Sequence, residues 1–258
     1  GRLRVSLFDR GDRGVRLTLA GRRYYDVVAD ALGAVARATA DLVDEEDDTT
    51  VTVGTTSAIA SLWLMPRLTG FRRRAPELEI RVLASDRDFE RSSDEVDLVI
   101  EYARDPLDGT DVWRLFDEEI FPVCSLDYLS GRPAPDRVEQ LPLETLLVLD
   151  DDHPDWMGWD EWLRRAGVEA GALRHPIRIN SYPTLLQAAA AGEGIALGWR
   201  HLVDEFLAAG TLVPLLPQAM TAPGAFYLRT TRPVADDSPA GRLRDWFLGT
   251  HLQAPVTS

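Results

Sequence analysis

Val51-Thr52-Val53-Gly54-Thr55 runs directly into Thr56-Ser57-Ala58, so that a buried-strand pattern meets a helix-start pattern with no loop between them. The predicted helix continues to about Phe71 and bends or restarts at Pro66, which lacks the N–H a helix interior needs. Leu62, Leu64, Met65, Leu68 and Phe71 are expected to face a sheet. A second strand, Leu78 to Leu83, ends in Ala84-Ser85-Asp86; a short helix and a third strand, Val96 to Ile100, follow, ending in Glu101-Tyr102. A β-α-β-α-β order of this kind predicts a parallel sheet with right-handed crossovers, and the fold class is α/β.

Downstream the pattern starts again. Val112 to Phe116 and Glu119 to Cys124 read as two strands parted by Asp117-Glu118, where a second unit is expected to begin. Leu146 to Leu149, Ile177 to Asn180 and Ile195 to Leu197 are strands; Asp155 to Ala166, Thr184 to Ala191 and Arg200 to Ala209 are helices. Gly167 and Gly210 stop two of these helices, Gly192-Glu193-Gly194 ends the third, and Pro183 sits at a helix start, where its missing N–H costs nothing. Leu212 to Leu216 contains proline and reads as an edge strand, Ala225 to Arg229 as a strand, and Ala240 to His251 as a last amphipathic helix.

Upstream lies a different kind of segment. Thr18 can cap a helix that runs without proline to Asp41, and Val28, Leu32, Val35, Thr39 and Leu42 fall on one stripe of it. About 28 residues at ~1.5 Å each make a rod of roughly 42 Å, longer than an ordinary core helix and so either a spacer or a pairing surface, with a core-packed helix as the plainer reading. The acidic run Asp44-Glu45-Glu46-Asp47-Asp48 opposes the helix macrodipole and marks a linker. Before the rod, Asp9-Arg10-Gly11-Asp12-Arg13-Gly14 reads as a hairpin loop whose arginines can touch phosphates without reading bases, although a solvated turn is the plainer reading.

Charge follows the same division. The whole chain carries −14, yet residues 1–23 hold seven arginines against two aspartates, a net of +5 that leaves −19 for the remainder. A basic end on an acidic body points to one polyanion-facing segment. The apolar fraction of 45% and charged fraction of 27% are those of a globular protein, and no apolar run is long enough to span a bilayer, so no membrane partner is expected. The single Cys124 excludes an internal disulfide and fits a reducing compartment such as the cytoplasm.

Catalytic patterns are scarce. There is no nucleophile elbow, phosphate loop or dinucleotide glycine pattern, and His153, His175, His201 and His251 have no metal-ligand spacing, so no metal, cofactor or enzymatic activity is expected. The acids of Asp150-Asp151-Asp152-His153 point different ways and read as a solvated loop, and the three-residue steps of Trp156, Trp159 and Trp162 read as helix packing. The stronger signal is where polar residues fall. Open parallel sheets bind ligands at the carboxyl ends of their strands, and three such ends carry small polar groups: Thr56-Ser57, Ser85 and Asn180-Ser181-Tyr182. Two of them open helices, whose free N–H groups attract a carboxylate, while Glu101 and Tyr102 can receive a cation. The set suits a small zwitterion such as an amino-acid-like molecule; the plainer reading is that these residues only cap helices.

Several motifs, in order, carry a resemblance. Leu7-Phe8-Asp9-Arg10 with Val15-Arg16-Leu17-Thr18-Leu19-Ala20-Gly21, Leu64-Met65-Pro66-Arg67-Leu68 with Phe71 and Ala75-Pro76, and Glu95 to Ile100 come first. Pro122-Val123-Cys124-Ser125, Leu186-Gln187-Ala188-Ala189 and Gly192-Glu193-Gly194-Ile195-Ala196-Leu197 follow. Together they resemble a LysR-type transcriptional regulator of the glycine-cleavage-activator branch. The resemblance implies a winged helix-turn-helix, with the wing over 1–17, a linker and dimerisation helix over 18–48, and a two-lobed domain like type II periplasmic binding proteins. Lobe I would be 50–117 with 224–252, and lobe II 118–217, hinged near Asp117-Glu118 and Gln218 to Gly224. It implies a small-molecule effector touching Thr56, Ser57, Ser85, Glu101, Tyr102 and Tyr182. The wing residues Arg10, Arg13 and Arg16 would lie on the DNA backbone. The partners implied are DNA, bound by an intact protein, and a second copy paired through Val28, Leu32, Val35 and Leu42 in a dimer or tetramer. The recognition helix is expected to precede residue 1. A solute-binding protein of a transporter shares the two-lobed fold and is the alternative, but it has no use for the wing or the rod.

Overall fold

The computed structural model describes residues 6–11, 14–21, 24, 25, 28, 49–86, 95–131, 133–150, 156–169, 173 and 176–251. The chain divides into two compact units, residues 1–48 and 49–258. In the first, β1 (Phe8–Gly11) and β2 (Gly14–Leu17) pair antiparallel, forming the expected hairpin. Thr18 caps the helix that follows: its hydroxyl accepts from the Gly21 N–H at 2.9 Å and donates to the Ser6 carbonyl at 2.8 Å. Residues 19–21, 24, 25 and 28 are helical, and Val28 is half-buried. Arg10 and Arg16 lie in the hairpin strands. Arg13, Leu32, Val35, Leu42, the acidic run 44–48 and the short helix expected before Val96 lie outside the described residues.

The second unit is built on a seven-stranded sheet in which β3 (Thr50–Thr55) is flanked in parallel by β4 (Glu79–Ala84) and β5 (Leu98–Ala103). The parallel half is as expected from the strand spacing. Next to β5 lies β11 (Met220–Thr230), antiparallel to it, and beyond that β6 (Val112–Cys124), which also pairs with β9 (Ala196–Trp199) and β10 (Val213–Pro214). A parallel pair, β7 (Leu147–Leu149) and β8 (Ile177–Ile179), joins β9 through a parallel bridge between Leu146 and Ile195. The two lobes therefore share one plan. In each, a central strand comes first (β3, β7), an edge strand second (β4, β8), the opposite neighbour third (β5, β9), and an antiparallel strand closes the set (β11, β6).

Two sequence readings are corrected here. The strands expected on either side of Asp117-Glu118 are one thirteen-residue strand. The adjacent acids Asp117-Glu118 suggest a break, but Asp117 faces solvent while Glu118 is fully buried against a helix start, so the pleat continues through them. The two segments expected as hinges, near Asp117-Glu118 and Gln218 to Gly224, lie in or next to the paired strands β6 and β11, whose register shifts between Thr221 and Ala225.

The second correction concerns the first helix. After α1 (Ser57–Ile59) comes a π-helical turn (Ala60–Leu64), in which the Met65 N–H reaches back five residues to the Ala60 carbonyl, and then α2 (Met65–Arg74) with Pro66 in its first turn. The wider turn rotates the face by one residue. Met65, expected to face the sheet, is 53% exposed, and Trp63 is fully buried instead, with Leu64, Leu68 and Phe71 inside as expected. Proline at the restart loses no helical bond, because the N–H it lacks is one of the unsatisfied ones of a helix start.

The remaining helices are α3 (Leu126–Leu129), α4 (Trp159–Arg165), α5 (Tyr182–Ala190), α6 (Arg200–Ala208) and α7 (Pro239–His251). Gly167, Gly192 and Gly210, just after α4, α5 and α6, have φ of +82°, +85° and +69°, the left-handed conformation in which a side chain is strained. Aromatic rings bind the core together. Phe247 of α7 packs on Trp63 at 5.6 Å between ring centres, Trp63 on Phe116 at 5.5 Å, Phe116 on Phe226 at 4.8 Å, and Phe226 on Tyr102 at 5.3 Å. Each such pair adds about 0.5–1.5 kcal/mol beyond area burial.

Candidate functional site

The carboxyl ends of β3, β4 and β5 meet because the three strands run parallel and in register. The Ser85 N–H donates to the Thr55 carbonyl at 3.0 Å, and the Thr55 hydroxyl donates to the Ile100 carbonyl at 2.6 Å. Thr56, Ser57 and Ser85 thus form one cluster, with the Glu101-Tyr102 end of β5 next to it. The short α1 packs beside α5, which begins at Tyr182, so the helix that opens at Ser57 and the one that opens at Tyr182 are neighbours. They are not equivalent. Thr56 caps α1 by accepting from the Ile59 N–H at 3.3 Å, and the Asp86 carboxylate accepts from the Ser57 N–H at 2.9 Å. The positive end of α1 is therefore already matched by an anion of the chain itself. At α5 the N-cap Ser181 side chain accepts from no backbone N–H of the helix; it accepts instead from the Thr184 hydroxyl at 3.0 Å.

Three of the expected contact residues are turned toward the protein. Glu101 pairs with the Arg229 guanidinium of the adjacent strand. The Tyr102 hydroxyl accepts from the Gly224 N–H at 3.0 Å. The Tyr182 hydroxyl donates to the Leu197 carbonyl and accepts from the Trp199 N–H, both at 3.0 Å, and burial raises its pKa far above that of a free phenol. Tyr182 consequently offers its ring, not its hydroxyl.

That ring lines an apolar cavity which the sequence reading passed over. Trp156 meets Tyr182 edge-on at 5.8 Å and Trp199 at 5.4 Å, and Leu147, Leu149 and Leu185 are among the aliphatic walls. The three tryptophans read as one packing stripe have separate roles. Trp159 and Trp162 are buried and donate to the Leu147 and Ile120 carbonyls, each at 2.9 Å, whereas half-buried Trp156 faces the cavity. Trp156 precedes the helix, so helical spacing does not govern its direction. Trp199 stacks edge-on at 5.1 Å on Tyr102, which joins the cavity to the end of β5.

Two further charged groups link elements distant in sequence. Arg104, just past β5, donates to both oxygens of Glu161 on α4, at 3.0 and 3.4 Å. Glu118, midway along β6, is held by the backbone N–H of Glu119 at 3.1 Å and by those of Arg200 and His201 at the start of α6. Burial, only partly offset by those three bonds and assisted by the nearby Asp204 charge, pushes its carboxyl pKa up to about 8. Its Oε2 has no hydrogen-bond partner. Among the described residues no group of histidine, cysteine and acidic side chains could hold a metal ion, and no helix is long and apolar enough to cross a membrane.

Comparison with known proteins agrees with this architecture. The effector domain of the transcriptional regulator AmpR of Pseudomonas aeruginosa superposes with a TM-score of 0.62 at 24% identity, over 79% of this chain and 95% of that one. The full-length virulence activator AphB of Vibrio cholerae gives 0.62 at 22%, over 96% and 85%. Both support the two-lobed, periplasmic-binding-protein-like fold. In sequence, the glycine cleavage system transcriptional activator of Escherichia coli (strain K12) is 31% identical over 246 residues, 95% of this chain and 79% of that protein. The HTH-type transcriptional regulator DsdC of the same organism is 32% identical over 216 residues, 82% of this chain and 68% of that protein. The model of the LysR substrate binding domain matches residues 44–251. The chain therefore belongs to the LysR family of transcriptional regulators, with an effector-binding domain of the two-lobed fold.

Proposed function

We propose that this regulator binds DNA as a dimer or larger assembly and responds to a small, amino-acid-like zwitterion held between its lobes. The observation that carries the reading is the difference between the starts of two neighbouring helices: α1 bears the Asp86 carboxylate, and α5 has no side-chain cap. A free ammonium group suits the first, and a carboxylate suits the N–H groups and positive end of the second. The hydroxyls of Thr56, Ser57 and Thr184 supply further polar contacts, and Ser85 lies alongside. Glu101 is assigned to Arg229 rather than to the ligand. Effector binding shifts the balance between lobe arrangements and so the spacing of the paired DNA-binding units. Self-association through the 18–48 segment, phosphate contacts by Arg10, Arg13 and Arg16, and the lack of a cofactor belong to the same reading.

A thermal-shift screen of amino acids, quaternary amines and small organic acids tests it. Amino acids are expected to raise the melting temperature, and Ser57→Ala together with Asp86→Asn to remove most of that rise. Full stabilisation retained in the double variant, or stabilisation by organic acids and not by amino acids, refutes the zwitterion assignment.

A further inference from the structure

We infer that the effector carries an apolar, flat side chain, of the aromatic amino-acid class, and that this group enters the cavity walled by Trp156, Tyr182 and Trp199. The inference rests on the amino-acid-like reading above and adds the chemistry of the side chain. Tyr182, which forms part of the cavity wall, is the first residue of α5, so a ligand whose carboxylate meets the start of that helix has its side chain next to the opening.

The lining decides the class. None of the described residues that line the cavity is charged. The Tyr182 hydroxyl bonds Leu197 and Trp199, and the Trp159 Nε1–H is spent on the Leu147 carbonyl. A hydroxyl, amide or charged side chain entering there loses water and finds few partners, whereas apolar area removed from water is favoured at about 25 cal/mol per Å². The ring spacing narrows the choice further. Trp156, Tyr182 and Trp199 touch one another, with centroids 5.4–5.8 Å apart for the two Trp156 pairs. Rings that close together form a continuous wall with no gap for a cation between their faces, so the arrangement suits stacking of a flat ring better than caging of a quaternary ammonium group.

Calorimetric titration of the whole chain with glycine, alanine, leucine, phenylalanine and tryptophan, and with indole and tetramethylammonium as probes lacking the amino-acid head, tests the inference. Phenylalanine or tryptophan is expected to bind at least about tenfold more tightly than alanine. Trp156→Ala should bring the aromatic ligands back to the alanine value and leave alanine unchanged, and Trp156→Phe should keep most of the preference. The ligand series on the unaltered chain carries the test even where Trp156→Ala fails to fold. Glycine or alanine binding as tightly as phenylalanine overturns the side-chain assignment and leaves the zwitterion reading standing. Indole binding lost in Trp156→Ala, with no response to any amino acid, upholds the pocket and overturns the zwitterion reading. Preference for tetramethylammonium over indole, or no binding of amino acids or indole, overturns the inference.

Discussion

Glu118→Gln is the substitution whose outcome the structure determines most sharply. The carboxyl is fully buried, takes three backbone N–H groups on one side and leaves Oε2 without a partner. In the unfolded chain it titrates near an ordinary glutamate value, and in the folded one at about 8. Between those values the native state holds the proton and the unfolded state does not, so the Glu118 contribution to stability declines as pH rises through the window and levels off above about 8. Integrating that difference from pH 6 to pH 9 gives a loss of about 2–3 kcal/mol. Glutamine matches the protonated carboxyl in shape and carries no titratable group, so the variant should lose none of it. The assay is urea unfolding followed by circular dichroism at pH 6 and pH 9, for both proteins. Subtracting one protein from the other removes every other titration they share. The Glu118→Gln protein is expected to gain on its parent by about 2–3 kcal/mol between the two pH values. A difference that stays constant within about 0.5 kcal/mol would show that the carboxyl ionises freely and that burial does not govern it.

Three other outcomes follow from the packing. A Cβ at Gly194 would lie 2.6 Å from the Thr145 carbonyl oxygen and 3.0 Å from the Leu147 side chain. Gly194→Ala should therefore cost about 1–3 kcal/mol in a denaturant melt, and an unchanged midpoint would contradict the close approach of the strands. Arg104→Ala and Glu161→Ala should couple by about 1 kcal/mol in a double-mutant cycle, since the pair is two-pronged and only part-exposed; additive effects would mean that the two side chains do not interact. Val28→Asp with Leu32→Asp is expected to lower the mass measured by light scattering to that of a monomer, and an intact dimer would remove the proposed seam.

Much of the fold was legible in the sequence because its signals are local. The run Val51 to Thr55 before Thr56, the glycines after α4, α5 and α6, and the proline-led start of α5 each specify one boundary through backbone chemistry. Non-local features were hidden. Nothing in Asp117-Glu118-Glu119 announces that the middle acid is buried, because two of the three N–H groups that receive it come from α6, some eighty residues later. The π turn that exchanges Met65 for Trp63 likewise has no pattern of its own, only a proline at the point where the α-helix resumes. For the site, strand ends pointed to the carboxyl edge of the parallel strands. They did not show that Asp86 already neutralises one helix start, that Arg229 occupies Glu101, or that Trp156 leaves the tryptophan stripe to line a cavity.

Strand β11 lies between β5 and β6 in the sheet although it is made long after both; its Gly224 bonds Tyr102 across 122 positions of sequence. While the ribosome works through the intervening chain, on the order of ten seconds at ordinary elongation rates, the β5 edge that β11 will cover has no partner. An open edge of this kind is a template for pairing with another chain. The first lobe to be synthesised is thus the last to be completed, and the nascent protein is most exposed to aggregation just before residues 220–230 arrive.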